Sequence, residues 1–312
     1  MAFHTAPNAV LIAGPTASGK TALAVAVAKA LGGAVINADS MQVYRDLFVL
    51  SARPDKTEQS GVAHALFGHV DGAVNYSAGK WRADAADAIQ RIRGAGQTPV
   101  IAGGTGLYFR TLLEGLSEIP PVPTAVRQNV RAMADVTPLA DLHRRLADVD
   151  PVLGARIRPG DHQRIVRALE VYEATGQPLS SFQNNRGPAL LEAASCACVF
   201  LAPERALLRE RINRRFEQMV ENGALDEVER LAARGLDPQL PVMRAHGVPG
   251  LLAFLRGEVG FEQAIEKGKG DTRRYAKRQF TWFRHQLPAF EWTAPEAALE
   301  AVLGRVGLAQ NR

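Results

Sequence analysis

Gly14-Pro15-Thr16-Ala17-Ser18-Gly19-Lys20-Thr21 is a complete G-x-x-x-x-G-K-[ST] loop. Residues of these types at this spacing bind polyphosphates. The glycines let the backbone wrap an anion, and the N–H groups and dipole of the next helix point at it. Lys20 adds a mobile positive charge, and Thr21 offers a hydroxyl to Mg²⁺. The flanks fit the motif: Ala9-Val10-Leu11-Ile12-Ala13 reads as a buried strand, and the Ala/Leu/Val-rich run from Thr21 to Leu31 reads as a helix. The loop specifies a polyphosphate but not what is done with it.

Further candidates come after other apolar runs. Asp39 stands just after Ala34-Val35-Ile36-Asn37-Ala38. In an open parallel sheet that is the edge where ligands bind. A carboxylate there can act as a general base or hold Mg²⁺ through water; it can also merely cap a helix, with Gln42 three residues on. Gly103-Gly104-Thr105-Gly106 ends another strand-like run and can present Thr105 to a ligand, or be a simple turn. Arg211 and Arg215 share a helical face near Arg214 and can close over a diphosphate or lie in solvent. Near the C-terminus, Lys267, Lys269, Arg273, Arg274, Lys277, Arg278 and Arg284 fall within 18 residues holding one acid, Asp271. There Ala276, Phe280, Phe283 and Leu287 repeat at helical spacing and are expected to pack inward. Arg273, Lys277 and Arg284 share another face which, beside Trp282 and Tyr275, suits a nucleic-acid backbone. Gln163, Arg164 and Arg167 form a smaller polar cluster.

Several elements must position these groups. Strand, glycine loop and helix alternate through residue 113, with a third strand expected over residues 98–102 and a helix over 78–93. Ile119-Pro120-Pro121-Val122-Pro123 then reads as a connector, and residues up to Gly176 show helices only, one of them capped by Asp161. A strand returns at Cys196–Leu201. The expected fold is α/β: a P-loop NTPase-like parallel sheet core, with an inserted helical domain and a helical, basic C-terminal segment. Residues 1–117 and 191–312 form the core, and 118–190 the insertion. The chain has 312 residues, 46% hydrophobic and 22% charged, with net charge +5, an ordinary soluble composition. No apolar run is long enough to span a membrane, and the N-terminus lacks the basic segment of an export signal. Cys196 and Cys198, the only cysteines, are expected to be reduced core residues on one strand face. Reduced thiols imply a cytoplasmic address.

Five motifs occur in order: Gly14–Thr21; Asp39-Ser40-Met41-Gln42-Val43-Tyr44; Gly103-Gly104-Thr105-Gly106-Leu107-Tyr108; Asp161-His162-Gln163-Arg164 with Arg167-Ala168-Leu169-Glu170-Val171; and Lys277-Arg278-Gln279-Phe280-Thr281-Trp282. Together they resemble the tRNA dimethylallyltransferase (tRNA isopentenyltransferase) family. The resemblance implies transfer of a five-carbon prenyl group from dimethylallyl diphosphate, with Mg²⁺, to N6 of the adenosine 3′ to the anticodon. It implies that Gly14, Pro15, Thr16, Ala17, Ser18, Gly19, Lys20 and Thr21 hold the diphosphate in a site also described as nucleotide- or ATP-binding, with Thr21 near the metal. It makes Asp39 the base that takes the N6 proton, and it has Lys20, Thr105 and an arginine of the 211–215 helix, Arg215, assist the diphosphate. It assigns tRNA contacts to Asp39, Ser40, Met41, Gln42, Gln163, Arg164, Ile165, Val166, Arg167, Arg273, Lys277 and Arg278. The partners would be the anticodon arm of tRNA and the donor, with no membrane, and the protein a monomer. The chain departs from the usual family pattern at Leu50-Ser51-Ala52-Arg53-Pro54, His64-Ala65-Leu66 and Gly247-Val248-Pro249, and these departures are expected to leave the diphosphate site untouched.

The motif leaves room for an ATP-dependent P-loop kinase of a small molecule or nucleotide, but such an enzyme has no use for the helical insertion and basic C-terminus. A GTPase reading lacks its D-x-x-G and [NT]-K-x-D motifs. A prenyltransferase of free adenine nucleotides leaves the basic C-terminal face without a role.

Overall fold

The computed structural model describes residues 8–183 and 186–307. The N-terminal segment read for an export signal lies outside the described residues. Six strands form one all-parallel sheet: β1 (Ala9–Ala13), β2 (Ala34–Asn37), β3 (His64–Ala65), β4 (Pro99–Gly103), β5 (Cys196–Leu201) and β6 (Glu291–Thr293), in the order β3-β2-β4-β1-β5-β6. The central strands are near-continuous apolar runs because both sheet faces are covered. Val10, Ile12, Val199 and Leu201 face helix Lys20–Leu31 and helix Ala298–Arg305. Leu11, Ile36, Ile101 and Phe200 face Trp81, Phe109 and Phe283 on the other side. Both cysteines are buried and free on β5. Burial pushes the Cys196 thiol up to about 11 and the Cys198 thiol up to about 12.

The sequence reading missed β3 and β6. β3 has two residues, too few for any periodicity, and β6 joins the sheet edge only because parallel pairing with Val199–Leu201 recruits it. β1 lies between β4 and β5, so the carboxyl ends of β1, β2 and β4 share one edge. That topology brings the glycine loop, the Asp39 turn and the Gly103–Gly106 turn together.

The chain divides into two compact units, Met1–Leu113 with Leu190–Arg312, and Glu114–Ala189. Within the second, helices Thr124–Val136, Leu139–Val149 and His162–Thr175 enclose a core of Val130, Leu142, Leu146, Ile165 and Leu169. Asp161 caps the third helix through its carboxylate, which accepts the Arg164 N–H at 3.3 Å. Among the described residues, no helix is long and apolar enough to cross a membrane.

Candidate active site

Backbone geometry shapes the glycine loop first. Gly19 takes a left-handed φ of 90°, a conformation in which a side chain would be strained, and Ala17 accepts φ 62°. At Gly14 a Cβ would lie 2.9 Å from Ser18 Oγ and 3.1 Å from Leu201 Cβ, so the loop closes only over glycine. Helix Lys20–Leu31 starts without a side-chain cap, which leaves its first N–H groups open to a ligand. Ser18 Oγ is buried with no hydrogen-bond partner among the described residues. Uncapped donors and an orphaned hydroxyl in one loop are the donor set a polyphosphate satisfies.

A cavity of about 350 Å³ opens on this loop. Thr16 to Thr21 line it, together with Asp39, Gln42 and Arg215. Lys20 Nζ reaches back to donate to Pro15 O at 2.6 Å. Burial pulls the Lys20 ammonium down to about 7; the nearby Asp39 carboxylate opposes that fall and Arg215 adds to it. The Arg215 guanidinium donates to Thr16 Oγ1, and burial lowers its pKa against the pull of Asp39 and Glu58. Arg211 and Arg214 on the same helix, Arg205–Met219, are exposed, so the shared face inferred from spacing delivers only Arg215 to the loop.

Asp39 is held from behind. The buried Asn37 side chain accepts the Asp39 N–H at 2.8 Å and donates to Asp39 O and Leu66 O, each at 3.0 Å. Trp81 Nε1 in turn donates to Asn37 O at 2.9 Å. Asp39 Oδ1 accepts the N–H groups of Met41 at 2.9 Å and Gln42 at 3.4 Å, which is the capping role, while Oδ2 takes no hydrogen bond among the described residues. One oxygen thus fixes the turn and the other is left for chemistry. Thr105 does not line the cavity. Its hydroxyl accepts the Ser40 N–H at 2.9 Å and also meets Tyr275, so it braces the Asp39–Ser40 turn instead of reaching an anion.

The glycines of Gly103-Gly104-Thr105-Gly106 have packing reasons. A Cβ at Gly103 would fall 2.1 Å from the Ala38 backbone, at Gly104 2.2 Å from Gln279 Nε2, and at Gly106 2.1 Å from the Trp282 ring. Sequence reasoning missed Asn37 and Gln279, since an amide in an apolar strand and another within a basic run look like neutral filler. It also misplaced Trp282. Trp282 packs onto Gly106 and Phe283, and the Tyr275 hydroxyl bonds inward to Thr105 and Gln279. Trp282 does not flank the exposed cations, because the helix turns that side chain to the glycine loops, whereas the exposed Arg278 guanidinium lies over the Tyr275 ring, 5.7 Å from its centroid.

Helix Phe261–Gln286 carries Arg274, Lys277, Arg278 and Arg284 outward, while Lys269 is buried in ion pairs with Glu217 and Glu266. Arg273, Lys277 and Arg284 line a second cavity of about 560 Å³. Arg205 and Arg209 of helix Arg205–Met219 form its opposite bank, and Leu208, Ile212, Ala276 and Phe280 lie between. Arg273 is anchored to Asn213 Oδ1 at 2.6 Å; Lys277 and Arg278 are exposed. In the second unit Gln163 and Arg164 are exposed, and Arg167 pairs with Glu170 at 3.4 Å. Ile165 and Val166 are corrected from RNA contacts to core: both are buried, on the apolar face of their helix.

Two of the three departures from the family pattern do reach the anion site. Ser51, Ala52 and His64 line the first cavity, because Gln42 Nε2 hooks the backbone carbonyls of Ser51 at 3.0 Å and Ala52 at 2.9 Å. Buried Glu227 fixes the preceding turn by accepting the N–H groups of Phe48, Val49 and Leu50 at 2.7–2.9 Å. Among the described residues no cluster of three His, Cys, Asp or Glu could hold a metal by itself. Thr21 and Asp39 both line the cavity and are the side-chain oxygens that would meet a cation arriving with an anion.

Residues 42–286 match the family model described as IPP transferase, and residues 7–70 that described as isopentenyl transferase. The tRNA dimethylallyltransferase of Methylobacterium nodulans is 58% identical over 96% of this chain and 99% of its own. That of Beijerinckia indica is 57% identical over 93% and 96%. Among solved structures, the tRNA isopentenylpyrophosphate transferase of Bacillus halodurans superposes with TM-score 0.68, at 33% identity and 96% coverage of each chain. A eukaryotic dimethylallyltransferase captured acting on tRNA gives TM-score 0.76 at 28% identity, covering 92% of this chain and 73% of its own.

Proposed function

The chain belongs to the IPP transferase family and transfers a dimethylallyl group to tRNA; from that premise we propose how its residues divide the reaction. The donor is dimethylallyl diphosphate, its diphosphate seated in Gly14–Thr21. The acceptor is N6 of the adenosine 3′ to the anticodon. One observation carries this reading: Lys20, Thr21, Asp39 and Arg215 line one cavity with the uncapped helix start.

The N6 amine is a poor nucleophile because its lone pair is delocalised into the ring. An allylic C–O bond compensates by breaking early. In the step proposed, N6 bonds to C1 of the dimethylallyl group, the C1–O bond breaks with its electron pair on the departing diphosphate, and the N6 proton passes to Asp39 Oδ2. Lys20, protonated when an anion sits beside it, and Arg215 take up the leaving-group charge in a site shielded from water. Asn37 and Thr105 hold the turn that aims Asp39. Mg²⁺, held by Thr21 and diphosphate oxygens, supplies further charge neutralisation when bound. The target base must leave its stack to reach such a pocket. Arg273, Lys277 and Arg278, with Gln163, Arg164 and Arg167, grip the anticodon arm. The protein acts as a cytoplasmic monomer, a setting its two buried, protonated thiols suit.

The relatives act on tRNA, so the ATP-dependent kinase reading finds no support. The test is incubation with unmodified tRNA, dimethylallyl diphosphate and Mg²⁺, and then nucleoside mass analysis. Prenylated adenosine next to the anticodon is expected; prenylation elsewhere, or of AMP in preference to tRNA, would overturn the assignment.

A further inference from the structure

Gln279 sits in the basic helix Phe261–Gln286, yet it is buried and faces away from solvent. Its amide spans two loops. Oε1 accepts the Thr16 N–H of the glycine loop at 3.1 Å, and Nε2 donates to Gly104 O of the Gly103–Gly106 turn at 2.8 Å. Both ends are satisfied with the polarity a primary amide requires, and a carboxylate or an apolar side chain could not make both bonds. The neighbouring loop is built around this contact: a Cβ at Gly104 would fall 2.2 Å from Gln279 Nε2. Three residues on, Trp282 seats against Gly106 in the same manner.

Thr16 is thereby gripped twice. Gln279 takes its N–H, and Arg215 donates to its hydroxyl. The Thr16 N–H is already committed, so it is not itself a donor to a ligand, and the loop offers an anion only the groups that remain.

We propose that Gln279 is a positioning residue: it sets the conformation of the diphosphate loop against the Gly103–Gly106 turn, and so couples the seating of the basic helix to the shape of the donor site. The assignment rests on the reading of Gly14–Thr21 as the diphosphate site. It predicts that an amide on the RNA-side helix controls donor binding rather than RNA binding.

The test compares Gln279→Met and Gln279→Glu with the wild type, measuring the dissociation constant for dimethylallyl diphosphate by calorimetry, that for unmodified tRNA by filter retention, and melting temperature. Met keeps the volume and loses both bonds together with the contact to the Tyr275 hydroxyl; Glu keeps an acceptor for Thr16 N–H but sets a carboxylate against Gly104 O. Gln279→Met is expected to weaken donor binding about tenfold, and Gln279→Glu further, with tRNA affinity held within about twofold. If Gln279 only fills the core, Met will bind donor as the wild type does, and the proposal falls. It falls equally if tRNA affinity drops while donor affinity holds. Should the Met variant not fold, the Glu variant of the same size decides by the same two constants. Wild-type protein that binds no donor would instead remove the diphosphate from the loop, a failure of the underlying reading and visible without any variant.

Discussion

Lys20 and Arg215 border the first cavity within reach of Asp39, while Arg205, Arg209 and Lys277 stand exposed around the second. The residue types are the same and the settings opposite. Burial makes the charge of Lys20 costly enough to bring its ammonium down to about 7, so an arriving anion is what restores it. The exposed cations are already hydrated, and their attraction to an anion is long-ranged and screened by salt. The first set suits charge that develops at one point in a reaction; the second suits the many phosphates of a polymer.

The comparison breaks soonest at Asp39, the carboxylate that shares the first cavity with the half-buried Lys20 and Arg215. Asp39→Asn keeps the size and the Oδ1 bonds to Met41 and Gln42 but cannot take a proton, so turnover should fall by ~10²–10⁴ with tRNA and donor binding little changed. If turnover instead returns at high Mg²⁺ while donor affinity has dropped, Asp39 serves the metal and not the proton. Lys20→Ala should lower single-turnover prenylation by ~10²–10³ and spare tRNA binding; a near-wild-type rate would contradict its role.

The pH dependence of donor binding sharpens the contrast. In the free folded protein Lys20 titrates near 7, against 10.5 unfolded. Between those values the unfolded chain holds a proton the folded chain lacks, so this group's contribution to stability rises with pH across that window, and below 7 its burial penalty is fully present. A diphosphate needs the protonated form. Donor affinity should therefore be greatest below about pH 7 and fall above it, by up to about tenfold per unit, with proton uptake on binding at pH 8. Calorimetry in buffers of different ionisation enthalpy measures that uptake, and its absence would sink the coupling.

The smallest effect belongs to the exposed set. Arg209→Ala with Lys277→Ala, one change from each bank, should weaken tRNA binding and flatten the plot of log K against log salt by roughly 0.7 per lost contact, with donor affinity unchanged. An unaltered slope would leave these cations to bulk solvent.

Much of this was legible in residue order. The strand, glycine loop and helix at Ala9–Leu31 carry their own local reasons, from apolar runs to glycines at obligatory turns, and so do the returning strand at Cys196 and the helical middle region. Asp39 was legible because a parallel sheet gathers the turns after its strands along one edge. Short-range pattern could not say which arginine of the 211–215 stretch turns inward, that Thr105 braces Ser40 rather than lining the cavity, or that Ile165 and Val166 are core. Those outcomes depend on which face of a helix meets which loop. Gln279 is the plainest case. Its two partners, Thr16 and Gly104, lie 263 and 175 residues away in sequence, and no spacing rule reaches that far. Sequence by itself determined the glycine loop between strand and helix, the parallel sheet and the family, because those arise from local backbone preference and apolar periodicity. Tertiary structure alone decided which polar side chains are buried and paired, because a buried amide or guanidinium is stable only where distant segments supply its partners.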